Sequence, residues 1–128
     1  MRPTLLIPVH NGGEKFKRCL SSLSGYEDLF SGVLISLNSG SQNPEEEQSI
    51  ANELLPSDGV NLKVRLENEI LNPVDHLKKM LTHPMIQQLD DSAPIMFLFH
   101  DDLLLGENAK RFFRSFESEF AGKVVFGP

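Results

Sequence analysis

Short apolar runs along the chain each end in a polar turn. Such runs occupy residues 4–9, 32–37 and 95–99, and a weaker alternating run occupies residues 61–66. Apolar runs of this length, bounded by turn residues, are typical of strands that are buried on both faces of a sheet. Another run begins at residues 123–126. The pattern therefore predicts a sheet whose strands are separated by connecting segments.

The connecting segments carry the three- and four-residue apolar spacing of amphipathic helices. The first helix has an apolar face made of Phe16, Cys19, Leu20 and Leu23. An asparagine followed by a proline, at positions 43–44 and 72–73, predicts the starts of two later helices. Asparagine is a good N-cap, and proline suits the first helical position. The helix that begins at residue 73 is expected to bury the stripe formed by Val74, Leu77 and Leu81.

Strands that alternate with helices predict the α/β fold class, as a Rossmann-like three-layer α/β/α arrangement with a mainly parallel sheet. The carboxyl ends of parallel strands lie at the same edge of the sheet, where open α/β sheets bind their ligands. Loops 8–13, 38–43 and 100–105 should therefore meet at that edge. The first of these turns lacks the third glycine of the dinucleotide fingerprint, which disfavours an NAD site.

Composition narrows the possible partners. A chain of 128 residues with 40% hydrophobic content suits a single domain over residues 1–128. The net charge of -6 argues against nucleic acid as a partner, because affinity for nucleic acid comes from cationic side chains. One cysteine excludes an intramolecular disulfide, and no apolar run approaches membrane length. We expect a cytoplasmic protein, and an association of a longer protein with the inner face of the membrane stays compatible with this.

Two adjacent carboxylates, Asp101 and Asp102, follow the apolar run at residues 95–99. Neighbouring anions at the end of a buried strand repel each other and lose hydration. A bound cation would offset this unfavourable free energy. A divalent ion with a phosphate as its second partner is one reading. A solvated loop whose aspartate caps the next helix is the other. This segment alone leaves both open.

Three motifs in order resemble glycosyltransferase family 2. Residues 7–13, Ile-Pro-Val-His-Asn-Gly-Gly, are similar to the family's opening strand, which ends in Pro-Val-Tyr-Asn. Residues 38–43, Asn-Ser-Gly-Ser-Gln-Asn, are similar to its Asp-Asp-Gly-Ser-Thr-Asp loop. Asp101 and Asp102 lie where the family has its Asp-X-Asp motif. The resemblance covers about the first hundred residues.

The resemblance implies the nucleotide-binding half of a GT-A fold, in an enzyme that transfers a sugar from a nucleotide diphosphate sugar to an acceptor glycan or other hydroxyl with inversion. Mg²⁺ or Mn²⁺ on the Asp-X-Asp motif would bridge the diphosphate. Carried over by position, the metal ligands are Asp101 and Asp102. The nucleotide-sugar-binding residues are Pro8, Val9, His10, Asn38, Ser39, His100 and Asp101.

The chain departs from the family pattern at several positions. His10 replaces a tyrosine, and Asn38 and Ser39 replace aspartates. The first acidic position of the Asp-X-Asp motif is Phe99 or His100, depending on the register. Family members also carry an acceptor-binding half with the catalytic base, so we expect that base outside residues 1–128 and interpret the chain as a donor-binding part of a longer protein.

Two other interpretations remain open. The chain could be a degenerate nucleotide-binding or interaction module that keeps the fold without the chemistry, since acidic groups are missing at several motif positions. A receiver-like or flavodoxin-like domain shares the alternation of strands and helices, but a receiver needs an acidic pair after the first strand, where this chain has Val9, His10 and Asn11.

Three further residues are weaker candidates for ligand contacts. Asn72 and His76 could reach a ribose or phosphate, although capping explains Asn72. Arg65 is a diphosphate contact only if its strand turns it toward the crevice.

Overall fold

A computed structural model describes residues 2–38, 43–55, 61–119 and 125–126. The order of elements is strand and helix in alternation, with one 3-10 turn at Glu27–Leu29. The strands are β1 (Thr4–Val9), β2 (Gly32–Leu37), β3 (Asn61–Leu66), β4 (Ile95–Phe97) and β5 (Val125–Phe126). The helices are α1 (Gly13–Leu23), α2 (Pro44–Leu54), α3 (Pro73–Leu81), α4 (Pro84–Gln87) and α5 (Gly106–Glu119). The bounds of β1, β2 and β3 are those predicted from the apolar runs.

The strands form one parallel sheet in the order β3-β2-β1-β4-β5. Consecutive strands β1, β2 and β3 are added on one side, and the chain then crosses back to place β4 on the other side of β1. The strand order therefore reverses between β1 and β4. In open α/β sheets the ligand crevice lies at such a reversal, outside the carboxyl ends of the strands.

Helices cover both faces of the sheet, which confirms the predicted three-layer α/β/α fold. One core lies between the sheet and α1, α2 and the start of α5, and contains Phe16, Leu20 and Ile35 among its members. A smaller core on the opposite face joins Leu6 and Leu34 of the sheet to α3 and α4. Residues of β1 and β2 alternate between these two cores, so both strands are buried throughout. This is why they are almost continuously apolar.

Helix α3 begins where the sequence predicts but buries a different stripe. The Asn72 side chain accepts a hydrogen bond from the Asp75 backbone N at 2.9 Å, and proline follows at the first helical position. The predicted stripe is wrong at its ends, because Val74 is 60% exposed and Leu81 is 37% exposed. The buried residues are His76 and Met80, one helical turn apart. Met80 packs on the smaller core, and His76 reaches a polar group of the sheet.

Among the residues that the structure describes, no helix combines the length and the apolar character that a membrane span requires.

Candidate functional site

A cavity of ≈ 510 Å³ lies at the carboxyl ends of β1, β2 and β4. This is the edge at which the strand order reverses, and the volume is in the range of small-molecule sites. The lining residues are Pro8, Val9, His10, Asn38, Leu71, Pro73, His76, Leu77, Phe99, His100 and Asp101. Another cavity, of ≈ 320 Å³, lies near Arg2 and Lys110 beside the amino end of β1. Because open sheets bind ligands at the carboxyl edge, the larger cavity is the candidate site.

Pro8 lies where β1 and β4 separate. Pairing between these strands ends at Leu6 and Phe97, and the Leu98 backbone N then donates to the Leu6 carbonyl at 3.0 Å. Proline has no N–H to donate, so Pro8 cannot extend pairing toward β4 through its nitrogen. On the other side β1 continues along β2 as far as Val9. The gap left between β1 and β4 is where the cavity opens.

The turn after β1 is held by a buried carboxylate from α2. Glu47 is 3% exposed, and its Oε2 accepts a hydrogen bond from the Gly12 backbone N at 3.1 Å. A Cβ at Gly12 would overlap the Cβ of Phe16, so the close approach of turn and helix requires glycine there. Gly13 follows with φ of +52°. Since a carboxylate occupies the first amide of this glycine turn, the turn is unsuited to cradle a phosphate as dinucleotide-binding turns do.

Asn38 joins the end of β2 to the connection between β3 and α3. Its side chain is buried, its Nδ2 donates to the Leu71 carbonyl at 2.6 Å, and its Oδ1 accepts from the Leu71 backbone N at 3.3 Å. The amide thus pairs with a backbone peptide through both of its polar ends. Asn38 therefore holds the connection at Leu71 against the end of β2.

The two aspartates after β4 lie in a turn that is anchored to α1. The Asp102 backbone N donates to the Phe99 carbonyl at 2.9 Å, and the Leu104 backbone N donates to Ser22 Oγ at 2.9 Å. Asp101 is exposed and lines the cavity, whereas Asp102 is half-buried and does not line it. The turn therefore presents His100 and Asp101 to the cavity and leaves Asp102 outside the cavity wall.

The pKa of the Cys19 thiol, which lies beside this turn, is raised to about 12. Burial is the main cause, and the carboxylates of Asp102 and Asp101 add to it because a negative charge opposes formation of a thiolate. Cys19 lies on the inner face of α1, in contact with the Phe99 carbonyl at 3.7 Å. It is a core residue, as its helical spacing predicts.

A buried polar chain runs from the sheet to the cavity through His76. His76 Nε2 lies 2.9 Å from Ser36 Oγ, and the Ser36 hydroxyl donates to Glu67 Oε1 at 2.9 Å. Arg65 Nε lies 3.2 Å from the same carboxylate oxygen. Ser36, Glu67 and His76 are each at most 3% exposed. We call Arg65, Glu67, Ser36 and His76 the buried relay.

Burial lowers the pKa of His76 below 6.5, and this outweighs the nearby Glu67 carboxylate, which raises it. His10 adds to the lowering. The imidazole is therefore neutral at pH 7. The buried relay is not a hydrolytic triad, because the carboxylate contacts the serine rather than the second imidazole nitrogen. Ser36 is also fully buried, which denies it access to a substrate.

The part of the chain that the structure describes contains no group of three or more His, Cys, Asp or Glu side chains arranged to hold a metal ion. Mg²⁺ is commonly held by one or two carboxylates together with phosphates of the substrate, and keeps several waters. Asp101 fits that mode, since it is an exposed carboxylate on the cavity wall. A divalent ion that enters together with a diphosphate remains a prediction on these residues.

The structure brings six of the predicted nucleotide-sugar residues to one cavity, namely Pro8, Val9, His10, Asn38, His100 and Asp101. Ser39 lies outside the described residues. Arg65 contacts Glu67 and is not part of the cavity wall. Sequence reasoning missed Leu71, Pro73 and Leu77, and it did not single out Ser36 or Glu67. A lone serine inside an otherwise apolar strand was the available signal for the buried relay.

Comparisons of this chain with models of protein families, with curated proteins and with solved structures find no match. The resemblance to glycosyltransferase family 2 therefore stays a prediction.

Proposed function

We propose that this chain is a donor-binding domain of an inverting glycosyltransferase, which binds a nucleotide diphosphate sugar in the cavity between β1, β2 and β4. The observation that carries the proposal is the position of this cavity. It lies at the reversal of strand order, and its wall combines apolar groups from β1 with polar groups from the ends of all three strands. Mononucleotide ligands of parallel α/β sheets bind in that place.

The charges around the cavity favour a diphosphate accompanied by a cation. Asp101 would repel a diphosphate that arrived alone, and in the described chain the nearby Arg65 is already paired with Glu67. Mg²⁺ or Mn²⁺ on Asp101 would offset that repulsion, and as a Lewis acid it would stabilise the charge on a departing nucleoside diphosphate. The apolar wall at Pro8 and Val9 suits the face of a base. His10 and His100 supply further hydrogen-bonding groups.

Calorimetric titration with UDP-, GDP- and dTDP-glucose, each with and without Mn²⁺, tests the proposal. We expect at least one of them to bind in a metal-dependent manner. Asp101→Ala should abolish the effect of Mn²⁺, because the carboxylate on the cavity wall is lost. Asp102→Ala is the matched control and should retain most of it, since Asp102 does not line the cavity. Absence of metal-dependent binding with all three nucleotide sugars would overturn the proposal.

A second candidate is a binding or interaction module without transferase chemistry. Two observations favour it: the described residues contain no three-ligand metal cluster, and both polar ends of the Asn38 amide are engaged by Leu71. Such a module would bind its ligand without a metal. Equal ligand affinity in the wild type, Asp101→Ala and Asp102→Ala, with no effect of Mn²⁺, would select this candidate.

A further inference from the structure

The buried relay fixes which nitrogen of His76 carries the proton. A hydroxyl has one proton, and that of Ser36 is donated to Glu67 Oε1 at 2.9 Å. The Ser36 oxygen, at 2.9 Å from His76 Nε2, then serves as an acceptor. A neutral imidazole bonded in this way has its proton on Nε2 and a lone pair on Nδ1.

The lone pair on Nδ1 belongs to a side chain of the cavity wall. The polar contacts of the His76 ring are to Ser36, whose Oγ lies 2.9 Å from Nε2. His76 is also one of the residues that line the cavity. With Nε2 directed to Ser36, Nδ1 is the ring nitrogen that remains for a ligand in the cavity, and the contact with Ser36 orients the ring.

We infer that His76 is a specificity-determining residue whose Nδ1 accepts a hydrogen bond from a donor on the nucleoside, either a ribose hydroxyl or a ring N–H of the base. This inference rests on the proposed function. A ring held by Ser36 and Glu67 cannot easily turn to offer a donor instead. The cavity therefore selects a ligand that presents an O–H or N–H group at this position, and it disfavours an analogue in which that group is missing or methylated.

The first test needs no ligand. In ¹⁵N-labelled wild type at pH 7.5, two-dimensional NMR of the histidine rings should show His76 with Nε2 protonated and Nδ1 unprotonated. In the described chain, the charged or titratable groups around this ring and cavity are Glu67, Arg65, His10, His100 and Asp101. Ser36→Ala removes the acceptor at Nε2 and should let both neutral tautomers appear. A His76 ring protonated on Nδ1 in the wild type would overturn the inference.

The second test is a cycle of variants and analogues. UDP, 2′-deoxy-UDP, 3′-deoxy-UDP and N3-methyl-UDP are titrated with Mn²⁺ into wild type and His76→Gln. A glutamine amide can replace the Nε2 donor to Ser36, but it offers no acceptor at the Nδ1 position. In the wild type, one analogue should bind about three- to tenfold more weakly than UDP, as expected for one neutral hydrogen bond. In His76→Gln that analogue and UDP should bind equally, and the identity of the analogue distinguishes ribose from base.

Leu77→Ala is the control, because Leu77 lines the same cavity from the same helix but has no polar group. It should weaken all four ligands to a similar degree and preserve the preference among them. Two negative results have separate meanings. If the wild type binds no nucleoside diphosphate, the proposed function fails and this inference falls with it. If the wild type binds UDP but the penalty of every analogue persists in His76→Gln, the role of His76 is wrong and the proposed function stands.

Discussion

Asn38→Asp separates what the family resemblance expects from what the contacts of this chain require. The resemblance implies an aspartate at this position, so the substitution would restore a base-reading carboxylate. In the structure, however, the Asn38 amide donates to the Leu71 carbonyl at 2.6 Å and accepts from the Leu71 backbone N at 3.3 Å. An aspartate keeps the acceptor but places a second oxygen against the carbonyl. We therefore expect a destabilised protein.

The size of the effect follows from burial. Asn38 is 2% exposed, so neither the introduced oxygen nor the Leu71 carbonyl can recover its lost partner from water. A lost hydrogen bond costs about 0.5–1.5 kcal/mol, and a buried polar group left unsatisfied costs about 1–3 kcal/mol, more when it is charged. We expect a total of roughly 2–4 kcal/mol. That is a large share of the roughly 5–15 kcal/mol that stabilises a typical domain, but it leaves the protein folded in water.

Urea unfolding followed by circular dichroism at 222 nm measures this change at pH 7.5 and again at pH 5. Burial raises the pKa of the introduced carboxyl group above its unfolded value, so the native state binds its proton more readily. The deficit relative to wild type should therefore shrink as the pH falls. Asn108→Asp, the same change at an exposed position in the first turn of α5, should be neutral. An Asn38→Asp variant as stable as wild type at pH 7.5, with tighter nucleotide binding, would refute the reasoning.

Three further outcomes follow from the described contacts. Gly12→Ala should destabilise the protein by about 1–3 kcal/mol, because the added Cβ overlaps α1. Gly13→Ala meets open space and should cost only the strain of φ of +52°, about 1 kcal/mol. Equal urea midpoints for the two variants would contradict this difference. With a pKa raised to about 12, native Cys19 should react with Ellman's reagent at pH 8 only as fast as the protein unfolds, so rapid reaction without denaturant would be inconsistent with it. Burial lowers the pKa of His76 and of His83 below 6.5, so the native state binds fewer protons than the unfolded state. The free energy of unfolding should therefore fall as the pH drops below about 6.5. His76→Gln should reduce that fall, and an unchanged pH profile in this variant would contradict the prediction.

The course of the backbone was predictable because its signals are local. The apolar runs defined β1, β2 and β3 to the residue, and the asparagine–proline pairs marked the starts of α2 and α3. A parallel sheet then brings the loops after β1, β2 and β4 to one edge whatever their sequence. The position of the cavity therefore followed from the pattern, without any knowledge of side-chain contacts.

The chemistry of the cavity was less accessible, since it depends on partners distant in sequence. Asn38 and Leu71 are 33 residues apart, and Ser36 and His76 are 40 apart. Helical periodicity assigned the buried face of α3 to Val74 and Leu81 because it weighs apolar character alone. The structure buries His76 instead, since Ser36 offers a hydrogen bond inside the sheet. A polar residue with a partner can occupy a core position that hydropathy assigns to a leucine.

The buried relay places a neutral, oriented group in the cavity wall, which distinguishes this site from one that binds its ligand mainly through charged side chains. In the cavity wall of the described chain the one carboxylate is Asp101, and the groups held from behind are amide and imidazole, which are neutral at pH 7. Neutral groups in fixed orientations discriminate among ligands by the geometry of their donors and acceptors, whereas exposed charges mainly contribute attraction that salt screens. In the buried relay the Glu67 carboxylate, one oxygen of which has no partner, accepts from Ser36, and Ser36 orients His76. The proposed role of His76 requires such an arrangement, because in that proposal recognition of the nucleoside depends on the direction of a single lone pair.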